Sequence, residues 1–342
     1  MSSAVSTAII PKARAIFARR LSLAEYKELA GKHSVTEVAQ YLKAHPNYTK
    51  ALETLTESNT SRGQLEQLLN RDIYYKYESL FRYDFSSKKF GAFFMVENEI
   101  KEILSALRFI LNGRIDAYII DMPAFLADDT SFSLMELARA NTPEELLQVL
   151  AHTPYHDLLK EPLQQRPVDF FYCEKALKTY YYETVFRLID KHFTKRGGQD
   201  VRELFLQEAE LYNLNILFRI KTYFPAAFSK EEVQRILLPF NHFFTRQDLE
   251  AMAGAKDAFA LSGVYNATRF SRREGDFEKV MLESGSSLYH IARRIIHFSS
   301  SPNAVFAALL AVEKMERVNI INVIEGVRYG LPAEQIVALL RY

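Results

Sequence analysis

A chain of 342 residues is long enough for two or three domains at roughly 150 residues each. Glycine (12) and proline (11) are scarce, which excludes turn-dense strand folds and leaves little for the glycine-rich phosphate loops of nucleotide-binding α/β folds. Lys+Arg total 43 against Asp+Glu 42, so there is no whole-chain electrostatic footprint for nucleic acid. A hydrophobic share of 48%, with 25 Phe and 19 Tyr, supplies a substantial core.

The N-terminus carries Lys12, Arg14, Arg19 and Arg20 and no acid up to residue 20, a composition like a transit peptide. Yet Ala13, Ile16, Phe17, Leu21 and Leu23 continue a helical spacing into Tyr26 and Leu29, which predicts a folded first helix. No Gly or Pro interrupts Gln64 to Phe90, Val168 to Arg196 or Asn303 to Glu325, and gaps of that length suit helices of several turns. Ile100, Ile103, Leu104, Leu107 and Ile110 form an i, i+3, i+4, i+7 stripe; Leu211, Leu214 and Leu217 do the same, as do Val312, Met315, Ile320 and Val323. The chain therefore reads as all-α. The longest fully apolar run, Ala304 to Val312, falls far below the ~20 residues needed to cross a bilayer. Cys173 is the single cysteine, which excludes an intramolecular disulfide framework and makes a reduced setting the default. Its neighbours are not electropositive, so it reads as a small buried residue.

Two signals repeat along the chain. The first is the capping box S/T-x-x-E, whose hydroxyl and carboxylate each satisfy a backbone N–H at a helix start. It occurs at Ser34–Glu37 and Thr142–Glu145, with a relative at Thr245–Asp248. After the first two, a short apolar stretch ends similarly, in Ala44-His45-Pro46-Asn47-Tyr48 and Ala151-His152-Thr153-Pro154-Tyr155. The second signal is Glu-x-x-Asn/Glu on an apolar helix: Glu99/Glu102, Glu210/Asn213 and Glu316/Asn319. From cap to Glu the intervals are 65, 68 and 71 residues. Near-constant spacing of two unrelated signals predicts three copies of a helical unit, at 1–120, 121–235 and 236–342. Each pair lies on one helix face, where it can contact a partner or complement the helix dipole and bond neighbouring helices.

Other chemistries fare worse. His152 and His156 are four apart, but Pro154 stands between them and no Glu fills the metalloprotease position, so no metal is expected there. Lys195-Arg196-Gly197-Gly198 lacks the phosphate-loop frame. Aromatic runs such as Tyr180-Tyr181-Tyr182 fit core and inter-helix packing.

The segment Glu316-Arg317-Val318-Asn319-Ile320 through Tyr329-Gly330-Leu331-Pro332 resembles the C-terminal signature of the V-type ATPase C/d family, the C-type coupling subunits of bacteria and archaea and their d-type equivalents in eukaryotes. The runs at 144–155 and 208–214 resemble the repeat motif of that family, and the resemblance extends from Ala13 to Tyr342. The first copy departs from it in having Glu102 where Asn is expected, and the third has lost most of its tyrosine motif. The resemblance implies three similar helical domains in a funnel with pseudo-threefold symmetry. It implies a non-catalytic coupling subunit at the cytoplasmic face of the membrane, without a cofactor or transmembrane segment of its own. Its partners would be the central-shaft subunits (D and F type) and the proteolipid ring, so that ATP hydrolysis or synthesis is coupled to proton or sodium transport. Glu99, Glu102, Glu210, Asn213, Glu316 and Asn319 are the candidate shaft- or ring-binding residues. The alternative is a helical protein–protein adaptor outside any motor.

Overall fold

Hydroxyl caps set many of the helix starts. Ser22, Ser34, Ser61, Ser133, Thr142, Ser229, Thr245 and Ser301 each accept the backbone N–H three residues on, satisfying a donor that the first helical turn leaves without a partner. Two of the anticipated boxes are half-boxes. The carboxylates of Glu37 and Glu145 accept from the N–H groups of His33 and Asn141, one residue before the cap. The full reciprocal box occurs instead at Ser22/Glu25, Ser229/Glu232 and Thr245/Asp248.

The computed structural model describes residues 5–56, 60–86, 89–114, 118–120, 122–225, 227–282 and 286–341. Among them every named element is helical, and the β-contact is the isolated bridge between Val5 and Asp84. The first part of the chain forms α1 (Ile9–Ala18), α2 (Leu23–Ala30), α3 (Val35–Ala44), α4 (Arg62–Phe81) and α5 (Phe93–Leu111). The middle forms α6 (Leu134–Leu137), α7 (Pro143–Val149), α8 (Pro154–Gln164), α9 (Phe170–His192), α10 (Gln199–Tyr223) and α11 (Lys230–Ile236). The last part forms α12 (Arg246–Ala253), α13 (Ala258–Asn266), α14 (Arg269–Glu274), α15 (Phe277–Leu282), α16 (Ser286–Phe298), α17 (Pro302–Arg328) and α18 (Ala333–Ala338). The basic N-terminal stretch is thus folded as α1 from Ile9 on. No helix among the described residues is long and apolar enough to cross a membrane.

The chain divides into two compact units. One is made of Met1–Phe90, Phe193–Leu204 and Arg272–Tyr342, the other of Gly91–His192 and Phe205–Ser271. In the first unit α17 is the hub, with α1, α2, α3, α4, α16 and α18 all against it. Its opening turns, Asn303 to Leu310, are buried on every side, which is what an uninterrupted apolar run on a helix demands. Further along, Ile320, Val323, Ile324 and Val327 join a core with Leu29, Val38, Leu42, Leu52 and Leu65. In the second unit α5 packs on α9 and α7, α9 also covers α8 and α11, and α12 lies between α11 and α13. Cys173 is fully buried on α9, where burial and nearby Asp169 push its thiol up to about 12.

The end of α17 shows how the signature near the C-terminus works. Gly330 takes φ 68°, a left-handed conformation that costs glycine little. The N–H of Leu331 then donates to the carbonyl of Gly326 and that of Gly330 to Val327, the paired bonds of a Schellman cap. The chain turns back so that α18 lies on α17, and a Cβ on Gly326 would stand 2.5 Å from Cγ1 of Ile336. Gly326→Ala should therefore destabilise the fold by about 1–3 kcal/mol through overpacking. Gly263, inside α13 with nothing within 4 Å of its missing Cβ, should gain about 0.5–1 kcal/mol as Gly263→Ala. Denaturant melts of both variants check the contrast.

Candidate functional site

The six candidate residues all lie inside the protein, at most 6% exposed. They do so because they sit on the apolar faces of α5, α10 and α17, among the Ile and Leu stripes that the core absorbs. A buried carboxylate or amide must find hydrogen-bond partners, and each of these finds them in the chain's own backbone or tyrosines.

Glu210 shows the arrangement most plainly. Its Oε1 accepts the N–H groups of His242, Phe243 and Phe244 at 2.5–2.9 Å. Those three amides lie immediately before Thr245, the cap of α12. One turn further along, Asn213 makes a two-pronged bond with Leu238: its amide N–H donates to the Leu238 carbonyl (3.0 Å) and its Oδ1 accepts the Leu238 N–H (2.8 Å). Burial raises the Glu210 carboxyl above its usual range, and the three amides oppose that shift.

Glu316 and Asn319 repeat the pattern in the other unit. Glu316 accepts the N–H of Leu21 (3.2 Å), immediately before the capping Ser22 of α2, together with the Arg20 guanidinium and the Tyr48 hydroxyl. Asn319 makes the same two-pronged bond, here with Arg341 at 2.8 and 3.0 Å. Glu99 accepts the N–H of Ser131, two residues before the capping Ser133 of α6, and the hydroxyl of Tyr155. Glu102, standing where the other copies have Asn, accepts the Tyr118 hydroxyl at 2.9 Å. Burial first, and the nearby carboxylates second, push Tyr48, Tyr118 and Tyr155 upward, so each hydroxyl keeps its proton and acts as a donor.

The clamps tie each glutamate to one helix start. Glu99 holds the loop before Ser133, Glu210 the loop before Thr245, and Glu316 the loop before Ser22. Thr245 is therefore the counterpart of Ser22 and Ser133, whereas Ser34 and Thr142 correspond to the next cap, Asp257 of α13. In this frame Ser22 to Glu99 and Ser133 to Glu210 are both 77 positions, and Thr245 to Glu316 is 71. Spacing alone does not separate the two frames, because Ser22-Leu23-Ala24-Glu25 and Ser34-Val35-Thr36-Glu37 both satisfy S/T-x-x-E.

Tyr48 and Tyr155 each donate to a clamp glutamate, and Phe270 stands 13 positions after Asp257 as Tyr155 stands 13 after Thr142. Phe270 packs against Phe243 and Phe244, with ring centroids 5.3 and 4.9 Å away, but has no hydroxyl to give. Glu210 Oε2 is left buried without a hydrogen-bond partner. His156, the other residue of the histidine pair, sits at the start of α8 beside Asp157 (3.0 Å), and no metal-binding cluster occurs among the described residues.

Three substitutions test the clamp. Phe270→Tyr should restore the missing donor and stabilise the fold by about 1 kcal/mol, while Tyr155→Phe should cost about 1–2 kcal/mol by orphaning a buried carboxylate oxygen. Glu210→Ala, which abandons three amides, should cost about 3 kcal/mol or more. Urea unfolding of the three variants decides each case, and a neutral Phe270→Tyr would contradict the assigned correspondence.

Over 218 residues the chain is 25% identical to the C-type subunit of the A-type ATP synthase of Methanosarcina mazei, a match covering 62% of this chain and 58% of that one. It is 26% identical over 219 residues to the corresponding A-type ATP synthase protein of Methanosphaera stadtmanae, covering 61% and 53%. The match thus spans a little over half the length of these relatives. Residues 9–339, which include all three clamps, match the family model described as ATP synthase (C/AC39) subunit. The chain belongs to the ATP synthase (C/AC39) subunit family.

Proposed function

We propose that the chain is a non-catalytic coupling subunit of a rotary A/V-type ATPase. It would join the central-shaft subunits (D and F type) to the membrane proteolipid ring, at the cytoplasmic face, so that ATP hydrolysis or synthesis drives or uses ion transport. The observation that carries this reading is the family match over residues 9–339. The names of the relatives, both of them A-type ATP synthase components of the C type, agree with it.

The clamps suit such a part physically. A torque-bearing subunit needs walls that do not shear, and a buried carboxylate bonded to several amides resists sliding because partial breakage leaves a charge unpaired in a low-dielectric interior. We extend the proposal to three helical modules, 1–120, 121–235 and 236–342, arranged as a funnel around the shaft tip. In that arrangement Glu99, Glu102, Glu210, Asn213, Glu316 and Asn319 are positioning residues. They hold the loops before Ser22, Ser133 and Thr245, along with their flanking segments, in the shape that meets shaft or ring, without touching the partner.

Affinity purification of the tagged chain from membranes should bring down shaft and proteolipid subunits together. A chain that stays monomeric under those conditions favours the adaptor reading and overturns this one. Deletion of the gene should leave ATP hydrolysis in the peripheral sector but abolish ATP-driven ion uptake in membrane vesicles. Glu210→Gln, measured at a temperature where the variant is folded, should weaken shaft binding severalfold if loop shape is what the clamp supplies.

A further inference from the structure

A second set of buried charges lies one turn before Glu316 on α17. Glu313 is 2% exposed, and its Oε2 accepts from Lys76 Nζ on α4 at 2.7 Å. Lys76 also pairs with Asp72 at 2.7 Å, four residues back on the same helix, and its ammonium lies 5.5 Å from the centroid of the Tyr48 ring. Tyr48 donates to Glu316, which Arg20 also pairs with, and Arg20 in turn lies over the ring of Tyr289 on α16. Tyr26 of α2 closes this group from the other side, its hydroxyl donating to the Glu316 carbonyl.

The charges in this network do not balance. Asp72, Glu313 and Glu316 supply three carboxylates, while Lys76 and Arg20 supply two cations. Each of the five groups has a named partner on its charged end, but the second oxygen of Glu313, Oε1, is buried without a hydrogen-bond partner. An ionised oxygen in that position has neither donor nor solvent, so a proton is held there more cheaply than a charge.

We propose that the Asp72–Lys76–Glu313 cluster on the α4–α17 seam is a proton-binding site. Its occupancy sets how firmly α4 is held on α17. The site is independent of the motor assignment, since it requires only contacts within one unit.

The direction follows from the chemistry. Burial raises the Glu313 carboxyl, Lys76 pulls it down, Glu316 and Asp72 push it up again, and it stands at about 7 in the folded chain against 4.5 ordinarily. A carboxyl raised on folding stabilises fully below its ordinary value and loses that contribution as pH rises through the folded one. The seam is therefore tightest in acid and loosens progressively as pH rises from about 4.5 to about 7. For Lys76, burial works against the ammonium, but Glu313 and Asp72 outweigh it, so Lys76 keeps its charge throughout and the titrating partner is the carboxyl.

Glu313→Gln mimics the protonated form and supplies the test. Between pH 5 and 7 the folding constant of the wild-type chain should fall relative to that of Glu313→Gln by about tenfold per pH unit, the slope of one proton. The variant should be the more stable of the two at pH 8. Parallel pH profiles for the two proteins overturn the proposal. A readout needing no variant is hydrogen exchange at α4 and α17 amides of the wild-type chain, corrected for intrinsic rate. Protection there should fall by about tenfold per pH unit from pH 5 and level off above about pH 7, and protection that is flat from pH 5 to 7 refutes the site even if Glu313→Gln fails to fold.

Discussion

A carboxylate buried beside main-chain amides is the constraint on which this fold depends. Removing it from water is costly, and bonded donors offset that cost, so each clamp holds a loop in one shape. Glu210 dictates the path of 242–244, Glu316 that of Leu21, and Glu99 that of Ser131. The neighbouring asparagine fixes a second point by pairing with both polar atoms of one backbone unit, at Leu238 and at Arg341. Two points fixed one turn apart on a long helix orient the segment docked on it as well as attaching it. Apolar packing alone, being non-directional, does not do that.

The copies also show how such a device tolerates drift. Where Asn becomes Glu102, the partner becomes a tyrosine hydroxyl, Tyr118, because a carboxylate accepts but cannot donate to a carbonyl. Where tyrosine becomes Phe270, the carboxylate keeps three amides on one oxygen and leaves the other bare. The first change is met by a new donor, while the second leaves Glu210 one donor short. The glutamate that receives the loop amides is common to all three.

Much of this was legible in the sequence. Helices follow from unbroken apolar periodicity, and hydroxyl caps mark their starts, including the strong one at Thr245, which reads as weaker for having Asp248 in place of Glu. The Glu-x-x-Asn pairs stand out by spacing, and the alternative of inter-helix bonding describes the contacts they make. Their partners were not legible, because nothing local in Glu316 points to Leu21 or Tyr48. Those contacts are decided by which helix face is buried and which loop reaches it. The choice between the two cap frames has the same origin: S/T-x-x-E marks any helix start, and only the clamp ties a glutamate to one of them. The Asp72–Lys76–Glu313 cluster was likewise hidden, since a charge on a long helix ordinarily reads as solvated surface.

The clamp between Glu316 and Arg20 joins residues 296 positions apart. During synthesis at roughly 5–20 residues per second, α2, α3 and the turn bearing Tyr48 leave the ribosome about 15–60 seconds before the helix that completes their core. Through that interval Leu29, Val38, Leu42 and Leu52 lack the α17 surface that buries them in the finished fold. The first helices made are thus the last to be finished. Nascent chains of this fold are exposed to aggregation until late in translation, and the early segments are where chaperones have most to protect.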